Sequence, residues 1–139
     1  MVLRPRESAR TLWAVPTTVF EVVGGVAFFE ALTERFYASV AADPVLLRVY
    51  PTPEDLEPAR RHLALFLAEY WGGPPDYLNE RGAPRLRMRH EAFEIGPGER
   101  DRWLAHMRDA VVSLGPPPAA RDAMLEYFRM AADALRNRD

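Results

Sequence analysis

Apolar positions in this chain recur every third or fourth residue rather than every second. Phe29, Leu32, Phe36 and Val40 keep that spacing as far as Asp43-Pro44, where an acidic residue ahead of proline ends it. The spacing predicts a helix, with Tyr37 about 100° round from Phe36 at the edge of the apolar stripe. Its ring can then pack while its hydroxyl faces whatever the stripe faces. Ahead of this helix, Gly24-Gly25 interrupts an apolar stretch that begins near Val19, and predicts two short helices meeting where side chains would obstruct them. A second strong helix is predicted from about Glu54 to Trp71, with Leu56, Ala59, Leu63, Phe66 and Tyr70 on one face and Gly72-Gly73-Pro74 as its stop. Ala59 is far smaller than the rest of that face. It either leaves space in front of itself or lets another helix cross closely, and the pattern allows both.

Residues 74–98 are rich in proline and glycine and read as loop, with a short helix around Leu86 to His90. A third helix, roughly Glu99 to Leu114, aligns Trp103, Met107, Ala110 and Leu114. After Gly115-Pro116-Pro117-Pro118, a fourth aligns Met124, Phe128, Ala131 and Leu135. No stretch alternates as a strand would and no segment repeats, so the expected fold class is all-α. Residues 1–18, with Pro5 and Pro16 and no sustained period, read as an N-terminal extension, partly disordered, ahead of one domain over residues 19–139.

Composition narrows the chemistry. At 139 residues and 48% apolar, the chain suffices for one core and is too short for two comfortable domains. A formal charge of −2 gives no excess of positive charge for a phosphate backbone, so nucleic acid is not an expected partner. No apolar run reaches the roughly 20 residues of a membrane span, and the N-terminus lacks the apolar segment of a signal peptide. The expected location is the cytoplasm. Cysteine is absent, which removes disulfides, thiolate metal sites and cysteine nucleophiles. Lysine is absent too, so all 18 basic residues are arginine and no Schiff-base lysine exists. An all-arginine, alanine-rich chain fits either GC-rich coding or adaptation to heat.

Three histidines remain, His62, His90 and His106, and they share no spacing of a multi-histidine metal site. A cofactor that brings most of its own ligands needs only one protein histidine, and haem is the common case. A lone histidine is nonetheless more often an ordinary polar residue. Tyr37, Tyr50 and Trp103 taken singly are core aromatics; converging on one cavity, they would form a donor-rich lining suited to a small, partly anionic diatomic ligand. The glutamates and aspartates read as solvated carboxylates, and Arg85, Arg87 and Arg89 most simply as a solvated basic face. Arg87 could instead meet a carboxylate such as a haem propionate.

Taken in order, FYASVAADPVLLRVYP, FLAEYWGGP, RGAPRLRMRHEAF and ERDRWL resemble the truncated haemoglobins of the second group, over roughly Val19 to Leu135. The resemblance implies a globin-like, two-over-two helical sandwich around haem b, with His90 as the iron ligand. It implies that Tyr37, Tyr50 and Trp103 hydrogen-bond iron-bound oxygen, with Ala59 and Leu63 beside them. Leu86, Phe93 and Phe66 would wall the haem, Arg87 would lie near a propionate, and His62 would either reach a propionate or point to solvent. The activity implied is binding of oxygen and other diatomic ligands at a five-coordinate iron with slow oxygen release. The alternative is redox turnover at the same haem, nitric oxide dioxygenation or a peroxidase-like reaction, with electrons from an external reductase because the chain has no flavin or nicotinamide domain of its own. The resemblance is also compatible with a homodimer.

Overall fold

The computed structural model describes residues 18–90 and 93–139, apart from the side chain of Arg87. The expected extension lies outside them except for Thr18. Among the described residues all regular structure is helical: α1 (Val19–Val23), α2 (Val26–Ala41), α3 (Pro44–Leu47), α4 (Glu57–Tyr70), α5 (Asp76–Arg81), α6 (Leu86–His90), α7 (Pro97–Leu114) and α8 (Pro118–Leu135).

Thr18 starts the fold by capping α1. Its hydroxyl accepts from the Glu21 amide at 3.1 Å, while the Glu21 carboxylate accepts from the Thr18 amide at 3.3 Å. Gly24 and Gly25 then take φ of 99° and 81°, values that side-chain-bearing residues rarely adopt. This corrects the expected reason for the pair: a Cβ on Gly24 would meet nothing within 4 Å, so backbone dihedrals and not crowding require glycine there. The close approach lies elsewhere. A Cβ on Gly73 would stand 2.5 Å from the Phe20 ring and 2.8 Å from the Ala68 carbonyl, and one on Gly72 2.7 Å from Thr18. The glycines that end α4 are therefore also where α1 presses against it, and the Phe20 amide donates to the Trp71 carbonyl at 3.0 Å.

α2 is the central element, not a short one. Phe29, Leu32, Phe36 and Val40 are fully buried along it, each contributing about 1.5–3 kcal/mol by leaving water. It packs against α4 and against α7, and α7 packs against α8, as expected of the two-over-two sandwich that the resemblance implies. Thr33, buried in the same helix, donates its hydroxyl to the Phe29 carbonyl at 2.9 Å. Arg60 of α4 donates to Glu30 at 2.8 Å and to Thr33 at 3.2 Å, fastening α4 to α2 by polar contacts as well as apolar ones.

α4 begins three residues later than the apolar pattern suggests. The Asp55 carboxylate accepts from the Glu57 amide at 3.1 Å, and Pro58 follows in the first turn, where its missing N–H costs nothing. α3 and α5 were not legible. α3 is one turn whose N-terminus is capped by Asp43, and α5 buries only Tyr77, so neither shows a period.

Candidate functional site

α2 to α8 surround one predominantly apolar cavity of about 300 Å³. Leu63, Phe66 and Leu67 of α4 line it, as do Leu46, Val49 and Tyr50 at and after α3. Leu86 and His90 of α6, with Phe93 and Ile95, form another part. Trp103 of α7 and Tyr127, Phe128, Ala131 and Leu135 of α8 complete it. The structure thus brings together Tyr37, Tyr50, Trp103, Ala59, Leu63, Phe66, His62, Leu86, His90 and Phe93 of the residues singled out in the sequence. The side chain of Arg87 lies outside the described residues.

His90 has a defined tautomer by elimination. Its Nδ1 stands 2.6 Å from the Leu86 carbonyl oxygen, which can only accept, so Nδ1 carries the proton. Nε2 is left with a free lone pair on a half-buried ring that lines the cavity. A backbone carbonyl holding one imidazole nitrogen is the usual support for a histidine that ligates through the other. The segment after His90 is fastened by Asn137, whose amide nitrogen donates to the Phe93 carbonyl at 2.9 Å and whose amide oxygen accepts from the Ile95 N–H at 2.8 Å. Sequence reading missed Asn137, since a polar residue after the last helix carries no pattern of its own.

Tyr37, Tyr50 and Trp103 make one connected group. The Tyr37 and Tyr50 rings meet edge to face at 5.6 Å, and Trp103 packs against Phe36 at 5.3 Å. Burial raises the Tyr37 phenol well above its ordinary value, aided by the charge of and a hydrogen bond to Tyr50. Burial likewise pushes Tyr50 up to about 12, against hydrogen bonds from Tyr37 and Trp103 that favour its anion. Both phenols therefore stay protonated across the physiological range.

Asp43 holds the corner on which Tyr50 depends. Its side chain is 6% exposed and accepts from the Val45 and Leu46 amides at 3.1 and 3.3 Å, from His106 Nε2 at 2.8 Å and from Arg102 at 3.1 Å. The His106 hydrogen bond, the Leu46 amide and Arg102 together bring its carboxyl down to about 2 against the opposing effect of burial.

Arginines give the cavity a basic rim that the sequence did not place correctly. Arg89 is half-buried and donates to the Pro84 and Arg81 carbonyls at 2.8 and 3.1 Å, so it is not part of a solvated face. Arg81 approaches His62 Nε2 at 3.3 Å, and burial with Arg81 and Arg61 nearby lowers the His62 pKa. His62 thus lines the cavity beside Arg81. Arg81 Nε is buried without a hydrogen-bond partner, and among the described residues neither Arg81 nor Arg89 pairs with a carboxylate. Arg100, by contrast, is already engaged with Asp101 and Asp133. A smaller cleft of about 250 Å³ shares Tyr50, Ala59, His62 and Arg81 with the main cavity. Ala59 borders both spaces, while the small residues buried on α4 are Ala64 and Ala68.

A helical two-over-two sandwich enclosing an apolar cavity, with one imidazole nitrogen left free, defines a globin-type site. The chain belongs to the bacterial-like globins, whose family pattern it matches over residues 18–137. Within them it sides with the second truncated group. It is 34% identical to a group 2 truncated haemoglobin of Bacillus subtilis over 81% of this chain and 84% of that protein. Among solved structures, a thermostable haemoglobin of Thermobifida fusca is 53% identical with a TM-score of 0.84, covering 87% of this chain and 98% of that one. The group II truncated haemoglobin of Bacillus anthracis is 35% identical with a TM-score of 0.84, covering 90% and 95%.

Proposed function

We propose that this chain is a haem protein that binds oxygen and other diatomic ligands, with a five-coordinate iron and slow oxygen release. The observation that carries the reading is His90, whose Nδ1–H is committed to the Leu86 carbonyl while Nε2 stays free in an apolar cavity. Haem, when bound, supplies the iron at which such ligands are taken up. The residues present fit it: apolar walls accept the macrocycle, and the orphaned Nε of Arg81, with Arg89, offers unpaired positive charge to its carboxylates. With no cysteine to form thioether links, haem would be held without covalent attachment, and haem b is the form proposed.

His90 would hold the group on one side by its free nitrogen. Tyr37, Tyr50 and Trp103, which line the cavity together with both phenols protonated, would donate to a ligand that gains negative charge, and such charge-assisted bonds slow release. Ala59, small and shared between the two clefts, leaves space beside these donors. Among the described residues no helix is long and apolar enough to cross a membrane. The cytoplasm is the location proposed.

The test is an absorption spectrum of the purified, haem-supplemented protein in ferric, ferrous and oxygenated forms. A strong Soret band and a lasting oxygen adduct are expected, and failure to take up stoichiometric haem would overturn the reading. A pyridine haemochrome spectrum checks haem b. Turnover with nitric oxide requires an external reductase. Peroxide chemistry draws its electrons from the substrate itself, and one group of residues favours it specifically.

A further inference from the structure

Tyr127 lies where the cavity wall meets a second set of rings. It lines the cavity from α8, and its ring packs against Tyr70 of α4 at 4.2 Å between centroids, tilted by 33°. Trp71 meets both edge-on, at 4.9 Å from Tyr70 and 5.5 Å from Tyr127. Tyr70 does not line the cavity and is 51% exposed. A single ring-to-ring step therefore leads from the cavity wall to solvent.

Tyrosine and tryptophan are the side chains of this cysteine-free chain that most readily give up one electron. The other phenol pair is placed differently. Tyr37 is enclosed, and the rings between it and Tyr127 include Phe36 and Phe128, whose phenyl groups resist oxidation. Burial, with Tyr70 adding to it, pushes the Tyr127 phenol up to about 12, so it is a neutral donor of one electron together with one proton.

We propose that Tyr127 and Tyr70 form a relay through which hydrogen peroxide reduced in the cavity oxidises small phenols or aromatic amines at the protein surface. The proposal rests on the haem reading, because haem is the group that would reduce peroxide. Peroxide takes up two electrons and two protons and leaves as two waters. Tyr127 gives one electron and one proton toward that reduction and regains both from Tyr70. Tyr70 regains both from an external phenol, which departs as a phenoxyl radical, and a second phenol supplies the other pair. Two phenols are consumed per peroxide.

The experiment uses the haem-loaded chain with hydrogen peroxide, a spin trap with peptide mass mapping, and guaiacol as the phenol. The trap is expected on Tyr70. In Tyr70→Phe it is expected to move to Tyr127 or Trp71, and guaiacol oxidation to fall several-fold while the first peroxide-driven change of the Soret band keeps its rate. Adducts confined to Tyr37, Tyr50 or Trp103, a Soret band that peroxide does not change, or guaiacol oxidation unaltered by Tyr70→Phe would each overturn the relay and leave haem binding standing. Absence of the Soret band from the start would remove the haem reading and the relay together.

Discussion

The segment carrying His90 and the wall carrying Tyr37, Tyr50 and Trp103 are built by different means. Tyr37 and Trp103 stand on helices of 16 and 18 residues that pack on each other around fully buried Phe36 and Met107. His90 ends a helix of five residues, and what positions it is a set of side-chain bonds to backbone: its own to Leu86, those of Arg89 to Pro84 and Arg81, and those of Asn137 to Phe93 and Ile95. One wall is rigid because its helices cannot separate without opening the core. The other is rigid only while a few polar bonds hold. A ligand pocket of this kind can therefore keep the wall of Tyr37, Tyr50 and Trp103 fixed while the side carrying His90 yields.

Four substitutions and a change of pH test the contrast between the two walls. His90→Gly is expected to abolish haem retention, read as loss of the Soret band at unchanged helical circular dichroism, with added imidazole restoring it. Trp103→Phe acts on the packed wall, and loss of one hydrogen bond toward a charged group is expected to speed oxygen release about ten- to a hundred-fold in stopped flow. Asn137→Ala acts on the strapped segment and should speed haem transfer to a scavenger by about ten-fold, the lower end of what supporting residues of a metal ligand contribute. It should leave oxygen release nearly unchanged, and an equal effect on both rates would show that the walls are not independent.

The smallest effect concerns acid. Asp43 has its folded pKa brought down to about 2 from the ordinary carboxylate range, so its contribution to stability is present above about pH 4 and is lost as pH falls through about 2. Near-ultraviolet circular dichroism should report loosening around Tyr50 over that window. Asp43→Asn should remove the dependence and lower the melting temperature by several degrees at neutral pH.

The same contrast explains what could be read from sequence. The packed wall was legible because a long helix repeats its apolar residues: Phe29, Leu32, Phe36 and Val40 mark α2, and Trp103 with Met107 marks α7. Tyr37 follows from that register alone. In the strapped segment the short helix Leu86–His90 was legible but its fastening was not, because Arg89 and Asn137 act through bonds to backbone carbonyls, and no spacing announces a bond from residue 137 to residue 93. His90 stood out only by its surrounding motif. On α4 the face picked by large residues, Leu63, Phe66 and Tyr70, proved to turn toward the cavity and the solvent, while the buried one carries Ala64, Leu67 and Ala68. A pocket wall is apolar for the same reason a core is, and periodicity does not distinguish them.

The Asn137 strap also orders events during synthesis. Domain parts gain structure as they leave the ribosome, N-terminal elements first. α2 and α4 can pair as soon as residue 70 has emerged, and α7 completes the donor wall. The turn after His90 has its own Phe93–His90 backbone bond but lacks the Asn137 strap until residue 137 is free of the exit tunnel. A group that His90 would hold is thereby met by a wall already assembled, because the strap behind His90 closes after α7 has packed.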